Sequence, residues 1–142
     1  MILLSEKLEG AIRREGESAY PNECCGILLG TIDDGGSRNT EDIIPIRNAR
    51  ETEEQYHRFR IEAEDLMKAE LEARKRKLEV LGFYHSHPDH PARPSDYDKE
   101  YALPFYSYII TAVDKGKAGD FTSWELTTNR EQFLPEEIKI EA

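Results

Sequence analysis

The stretch Glu79-Val80-Leu81-Gly82-Phe83-Tyr84-His85-Ser86-His87-Pro88 decides how this chain is read. Its first six residues have the aliphatic and aromatic content of a buried strand. Alternate side chains of a strand share a face, so His85 and His87 project side by side, about 7 Å apart at their Cα atoms. Two imidazoles so placed can close on one small cation. Pro88 has no N–H to give a sheet ladder, which ends the strand there and leaves the histidine pair at its exposed C-terminal end.

A candidate third ligand follows the strand. The proline-rich loop Asp89-His90-Pro91-Ala92-Arg93-Pro94 leads into Ser95-Asp96-Tyr97-Asp98. Ser-x-x-Asp after a proline is a helix start, with Ser95 as N-cap and Asp98 in the first turn. By itself that pattern is structural. Beside a parallel histidine pair, a carboxylate folded back by the loop also supplies an oxygen ligand. Two nitrogens, one oxygen and an open fourth position suit catalytic zinc. His90 is expected behind the ligands or in solvent, and His57 on the surface or in packing.

The 142 residues fit one domain, spanning 1–142, large enough to bury about two-thirds of its unfolded surface. Hydrophobic residues make up 38% and charged residues 34%, a modest core under a strongly solvated surface. A net charge of −10 opposes phosphate-backbone binding, so no nucleic-acid partner is expected. The basic run Arg74-Lys75-Arg76-Lys77 closes a predicted helix, where cations suit the macrodipole. Cys24 and Cys25 are neighbours, poorly placed for an ordinary disulfide, so nothing points to oxidising export. Met1-Ile2-Leu3-Leu4 is too short for a signal peptide and no run reaches membrane-span length. A cytoplasmic protein without membrane contact is the expectation.

Along the chain, residues 5–18 show helical spacing, with Leu4, Leu8, Ala11 and Ile12 on one side and Ser5 as cap. Residues 23–30 read as a strand buried on both faces, a turn falls at 33–36, and a second strand covers 42–46. Residues 47–60 are polar and aperiodic, a surface excursion ending in a short strand near 56–59. An amphipathic helix is predicted over 61–78, with Ala63, Leu66, Met67, Leu71, Arg74 and Leu78 inward. After the histidine strand and the Ser95 helix come a strand over 105–113, a turn over 114–120 and a strand over 121–126. Residues 133–140 add a final edge strand, and Trp124 packs against the sheet. This order implies a mixed, mostly antiparallel sheet with helices on its faces.

A metal-activated water profits from a carboxylate that moves its proton. Periodicity does not choose among 29 acidic residues, although Glu23 opens an apolar strand at the rim of the same sheet. Pro21-Asn22-Glu23-Cys24-Cys25-Gly26-Ile27-Leu28-Leu29-Gly30, with His85-Ser86-His87-Pro88, six further residues and Ser95-Asp96-Tyr97-Asp98, resembles the JAMM (MPN-plus) metalloproteases over essentially the whole chain. The resemblance implies a three-layer α/β/α sandwich similar to the cytidine deaminases. It implies one Zn²⁺ per chain with a bound water, held by His85, His87 and Asp98. Glu23 is then the general acid/base and Ser95 helps hold the oxygen of the tetrahedral intermediate. Cys25 matches a packing cysteine of the family, and Cys24 is given no role.

The implied activity is cleavage of a peptide or isopeptide bond after the diglycine-like tail of ubiquitin or a ubiquitin-like sulfur carrier. Such a tail can lie along an exposed strand. The chain is short and more similar to compact bacterial members that process sulfur-carrier proteins, releasing cysteine or another C-terminal residue, than to deubiquitinases. A non-catalytic scaffold of the same fold is the competing class, although such relatives have usually lost ligands. A nucleobase deaminase is opposed by the lack of a Pro-Cys-x-x-Cys run. The oligomeric state, a homodimer included, stays open.

Overall fold

The computed structural model describes residues 1–47 and 61–142. The predicted surface excursion, its short strand and His57 lie largely or wholly outside the described residues. Glycine and turn residues set the hairpins, and one crossover sets the site. Strands β1 (Ile2–Ser5), β2 (Cys25–Ile32), β3 (Arg38–Ile46), β4 (Glu79–Pro88), β5 (Ser107–Asp114), β6 (Lys117–Leu126), β7 (Phe133–Glu136) and β8 (Ile138–Glu141) join one sheet. Their spatial order is β7-β6-β5-β4-β2-β3-β1-β8. Ladders β2–β3, β2–β4, β5–β6 and β6–β7 are antiparallel, while β4–β5, β1–β3 and β1–β8 are parallel. The sheet is mixed and mostly antiparallel, as expected.

Helix α1 (Glu6–Ala19) starts where the Ser5 hydroxyl accepts the Leu8 N–H at 3.1 Å. It covers one face, packing Ile12 with Leu28, Leu81, Tyr84 and Ile109. Helix α2 (Ala63–Lys75) covers the other, packing Ala69 and Ala73 with Ile27, Leu29 and Phe83. Neighbouring residues of β2 thus serve opposite layers, and the three-layer α/β/α arrangement follows. Among the described residues no helix is long and apolar enough to cross a membrane.

Four expectations are corrected. The inward stripe of α2 is Leu66, Ala69 and Ala73, whereas Ala63, Met67, Leu71 and Arg74 are exposed. Small alanines let the helix approach the sheet closely, and that contact outweighs the larger apolar residues. Residues 2–5 form a strand, with Ile2 and Leu4 fully in the core. The β5–β6 turn contracts to Lys115-Gly116, both at positive φ (50° and 85°), the conformation a two-residue hairpin loop requires. Residues 133–140 form two strands at opposite edges of the sheet, because β7 pairs β6 and β8 pairs β1.

Consecutive strands can reach opposite edges only if the sheet curls, and a buried ion pair spans the closure. Arg38 of β3 donates to Glu136 Oε2 of β7 and to Ser107 Oγ of β5, both at 3.0 Å. Glu136 Oε1 accepts from Ser107 Oγ at 2.6 Å and from Ser123 Oγ at 2.8 Å. A buried carboxylate with this many donors is satisfied, not stranded.

Candidate metal centre

Strand β4 runs between antiparallel β2 and parallel β5, so its polar C-terminal half is buried in mid-sheet. Parallel neighbours need a long crossover. Here it spans residues 89–106 and carries helix α3 (Asp96–Tyr101) back over the end of β4. Ser95 caps α3: its Oγ accepts the Asp98 N–H at 3.1 Å, and its own N–H donates to Asp98 Oδ2 at 2.9 Å. The capping box read from Ser-x-x-Asp is present, and it aims the Asp98 carboxylate at the histidines.

His85 Nε2 and His87 Nε2 lie 3.1 Å apart. Asp98 Oδ2 is 3.2 Å from the first and 3.1 Å from the second. The His87 Nδ1–H donates to the Pro91 carbonyl at 2.8 Å. A carbonyl only accepts, so the proton sits on Nδ1 and the neutral ring turns a lone pair at Nε2 toward the cluster. Burial pushes the His85 imidazole down from its usual pKa, with Asp98 opposing in part. Burial alone raises the Asp98 carboxyl. The neighbouring His85 imidazole outweighs it and holds that carboxyl well below the usual range.

Glu23 reaches the same point from the segment just before β2. The ladder pairs Cys25 with His85, and Ser86 N–H donates to the Cys24 carbonyl at 3.2 Å. Glu23 lies two residues before Cys25 of that pair. Its carboxylate and the two imidazoles offer donor atoms within 4.8 Å of one another, all three residues being buried.

This donor set fits a divalent cation. A tetrahedral ion with bonds of about 2.0–2.1 Å spaces its ligands by about 3.3–3.4 Å. The triangle here has edges of 3.1, 3.2 and 3.1 Å. Two imidazoles and a carboxylate suit zinc among the biological metals.

One cavity borders the cluster and a second lies near Glu23. The first, of about 550 Å³, has His85 and Asp98 in its wall, with Leu66, Phe83, Ala102 and Tyr108. The other, about 470 Å³, is lined by Glu23, Cys24, Glu15 and Asn22. Cys24 and Cys25 are buried free thiols. Burial pushes the Cys24 thiol up to about 12 and the Cys25 thiol up as well, which suits packing and not nucleophilic chemistry. His90 is exposed, off the cluster.

Several supports carry no sequence signal. Asp89 accepts from Tyr20 Oη at 2.6 Å and from the Lys115 N–H at 2.8 Å. Thr122 Oγ1 donates to the Ala92 carbonyl at 2.7 Å and accepts from Trp124 Nε1 at 2.9 Å. Together these fix the loop whose Pro91 carbonyl orients His87. Trp124 packs on the sheet as expected, beside Ala92, Ile110 and Ala112.

The α/β/α sheet with a His-x-His and carboxylate centre at its rim defines a JAB/MPN-type domain. The model for prokaryotic homologs of the JAB domain matches residues 5–127, and the chain belongs to that family. A desampylase of Haloferax volcanii is 34% identical over 117 residues, covering 80% of this chain and 77% of that protein. The solution structure of a Desulfitobacterium hafniense protein matches with TM-score 0.86 and 31% identity, over 99% of this chain and 93% of that one. A JAB1/MPN domain protein from Archaeoglobus fulgidus shares the fold, with TM-score 0.61 at 19% identity, over all of both chains.

Proposed function

We propose that residues 1–142 work as one catalytic domain, a zinc-dependent peptidase or isopeptidase. It hydrolyses the amide bond after the diglycine-like tail of a ubiquitin-like or sulfur-carrier protein, releasing a C-terminal residue or adduct. The observation that carries this reading is the convergence of His85, His87 and Asp98 at 3.1–3.2 Å, with Glu23 beside them. Family membership supports the hydrolase, and the likeness to a desampylase supports a ubiquitin-like partner.

His85, His87 and Asp98 would hold the zinc ion, which supplies Lewis acidity toward a carbonyl and makes water acidic enough to attack near neutral pH. Glu23 takes the proton of the attacking water and returns it to the departing amine. Its burial beside the imidazoles keeps that transfer out of bulk solvent. Ser95 has an O–H donor separate from the lone pair that accepts the Asp98 N–H, and offers it to the oxygen that gains charge. Pro91, through its carbonyl, keeps His87 in the tautomer that presents Nε2.

Glu23→Gln tests this directly. The variant is expected to keep one zinc per chain by atomic absorption and to lose turnover by about 100-fold or more. Mass spectrometry of carriers with C-terminal extensions, incubated with the zinc-loaded wild type, should show cleavage after Gly-Gly. Wild-type turnover in Glu23→Gln removes Glu23 from the mechanism. A zinc-loaded wild type that leaves every such substrate whole places the chain among scaffolds.

A further inference from the structure

The cavity of about 550 Å³ opens on one side of the reaction centre. His85 and Asp98 line it, and Glu23 is not among its lining residues. A leaving amine must collect its proton from Glu23, so it departs beside that residue, and the acyl chain lies along the cavity that Glu23 does not line. That cavity extends from His85 back to Phe83, the next residue of β4 on the same face. Two residues of strand cover about 6.7 Å, and an extended tail rises equally per residue. With the cut carbonyl at His85, the side chain above Phe83 belongs to the third residue from the cut. In a diglycine tail this is the residue just before the glycines.

The glycines themselves have nothing to place in a space of about 550 Å³. Its floor is apolar and firm: Phe83 and Tyr108 stack at 5.6 Å, and both are buried. Leu66 and Ala102 close the sides. Tyr108 Oη accepts the Leu103 N–H at 2.7 Å, which holds the rim in place. The Glu62 carboxylate on the lining opposes an anionic guest.

We propose that this cavity is a specificity pocket for a bulky apolar side chain at the third residue from the cut, immediately before the diglycine of the partner's tail. The assignment rests on the hydrolase reading above, and its test keeps the two apart. Peptides ending X-Gly-Gly joined to a fluorogenic amine, with X as Leu, Phe, Gly, Arg or Asp, are given to the zinc-loaded chain. Leu and Phe should exceed Gly in kcat/KM by about 10-fold or more, with Asp slowest. Ala63→Trp, at the exposed first residue of α2 on the cavity mouth, should bring the Leu-to-Gly ratio to about one. Leu66→Ala, which widens the wall, should shift preference from Leu toward Phe.

Equal rates for Leu and Gly overturn the pocket while leaving the hydrolase standing. Arg cut as fast as Leu hands recognition to Glu62 and overturns the apolar assignment. Ratios unmoved by both variants overturn the location. If no peptide is cut, the hydrolase reading falls and the pocket with it.

Discussion

Replacing Gly26 by alanine puts a methyl group where Tyr84 already sits. A Cβ at Gly26 would lie 2.1 Å from Tyr84 Cζ and 2.2 Å from its Cε1 and Oη. Ordinary contact is about 3.5–4.0 Å, so the ring must retreat by about 1.4 Å. It has nowhere to go, being fully buried with Ile12, Leu28 and Ile109, and its hydroxyl donates to Glu15 Oε2 at 2.6 Å. Overpacking costs about 1–3 kcal/mol, and a hydrogen bond to a carboxylate adds about 1.5 kcal/mol. The variant should therefore lose about 3–4 kcal/mol, a fall in Tm of about 10 °C for a chain of this size. Urea unfolding of Gly26→Ala, Tyr84→Ala and the double variant decides the matter. Tyr84→Ala alone should cost about 3–5 kcal/mol. The new methyl fits the hole it leaves, so the double variant should be more stable than the sum by about 2 kcal/mol. Additivity within about 0.5 kcal/mol would refute the steric account, as would a Gly26→Ala protein of wild-type stability.

Two further outcomes follow from the site and its surroundings. Ser95→Ala should lower turnover on the order of 100-fold and stability by about 1 kcal/mol through the lost cap; a loss of stability without a loss of rate would leave Ser95 a cap alone. Burial pushes the Cys24 thiol up from the usual thiol range to about 12, so the folded protein keeps a proton that the unfolded chain gives up. Stability is then fully present below about pH 9 and lost as pH rises toward 12. Cys24→Ser should flatten the early part of that decline in Tm, before tyrosines titrate, and an unchanged slope would assign it elsewhere.

The histidine strand was legible because its signals are local: a period of two, an apolar run and a terminal proline all fall within ten residues. The Ser95 cap was legible for the same reason. Glu23 needed the motif as a whole, since its place beside the histidines depends on a ladder between segments some sixty residues apart. What was misread depends on contacts that sequence does not display. The inward face of α2 went to Ala69 and Ala73 because close approach to the sheet favours small side chains, while Met67 and Leu71 took the solvent. The split of 133–140 into β7 and β8 reflects the curl braced by Arg38 and Glu136, a relation between distant segments. The Pro91 carbonyl is backbone, and no residue type announces it.

The hydrogen bonds around His85, His87 and Asp98 bear on how an ion would enter and leave. His87 is turned by Pro91, Asp98 by Ser95, and the intervening loop by Asp89 and Thr122, all through contacts that involve no metal. The receptacle is thus assembled by the polypeptide itself, unlike small zinc folds that collapse when stripped. On the zinc reading proposed above, a chelator would empty the cluster and leave the surrounding scaffold folded.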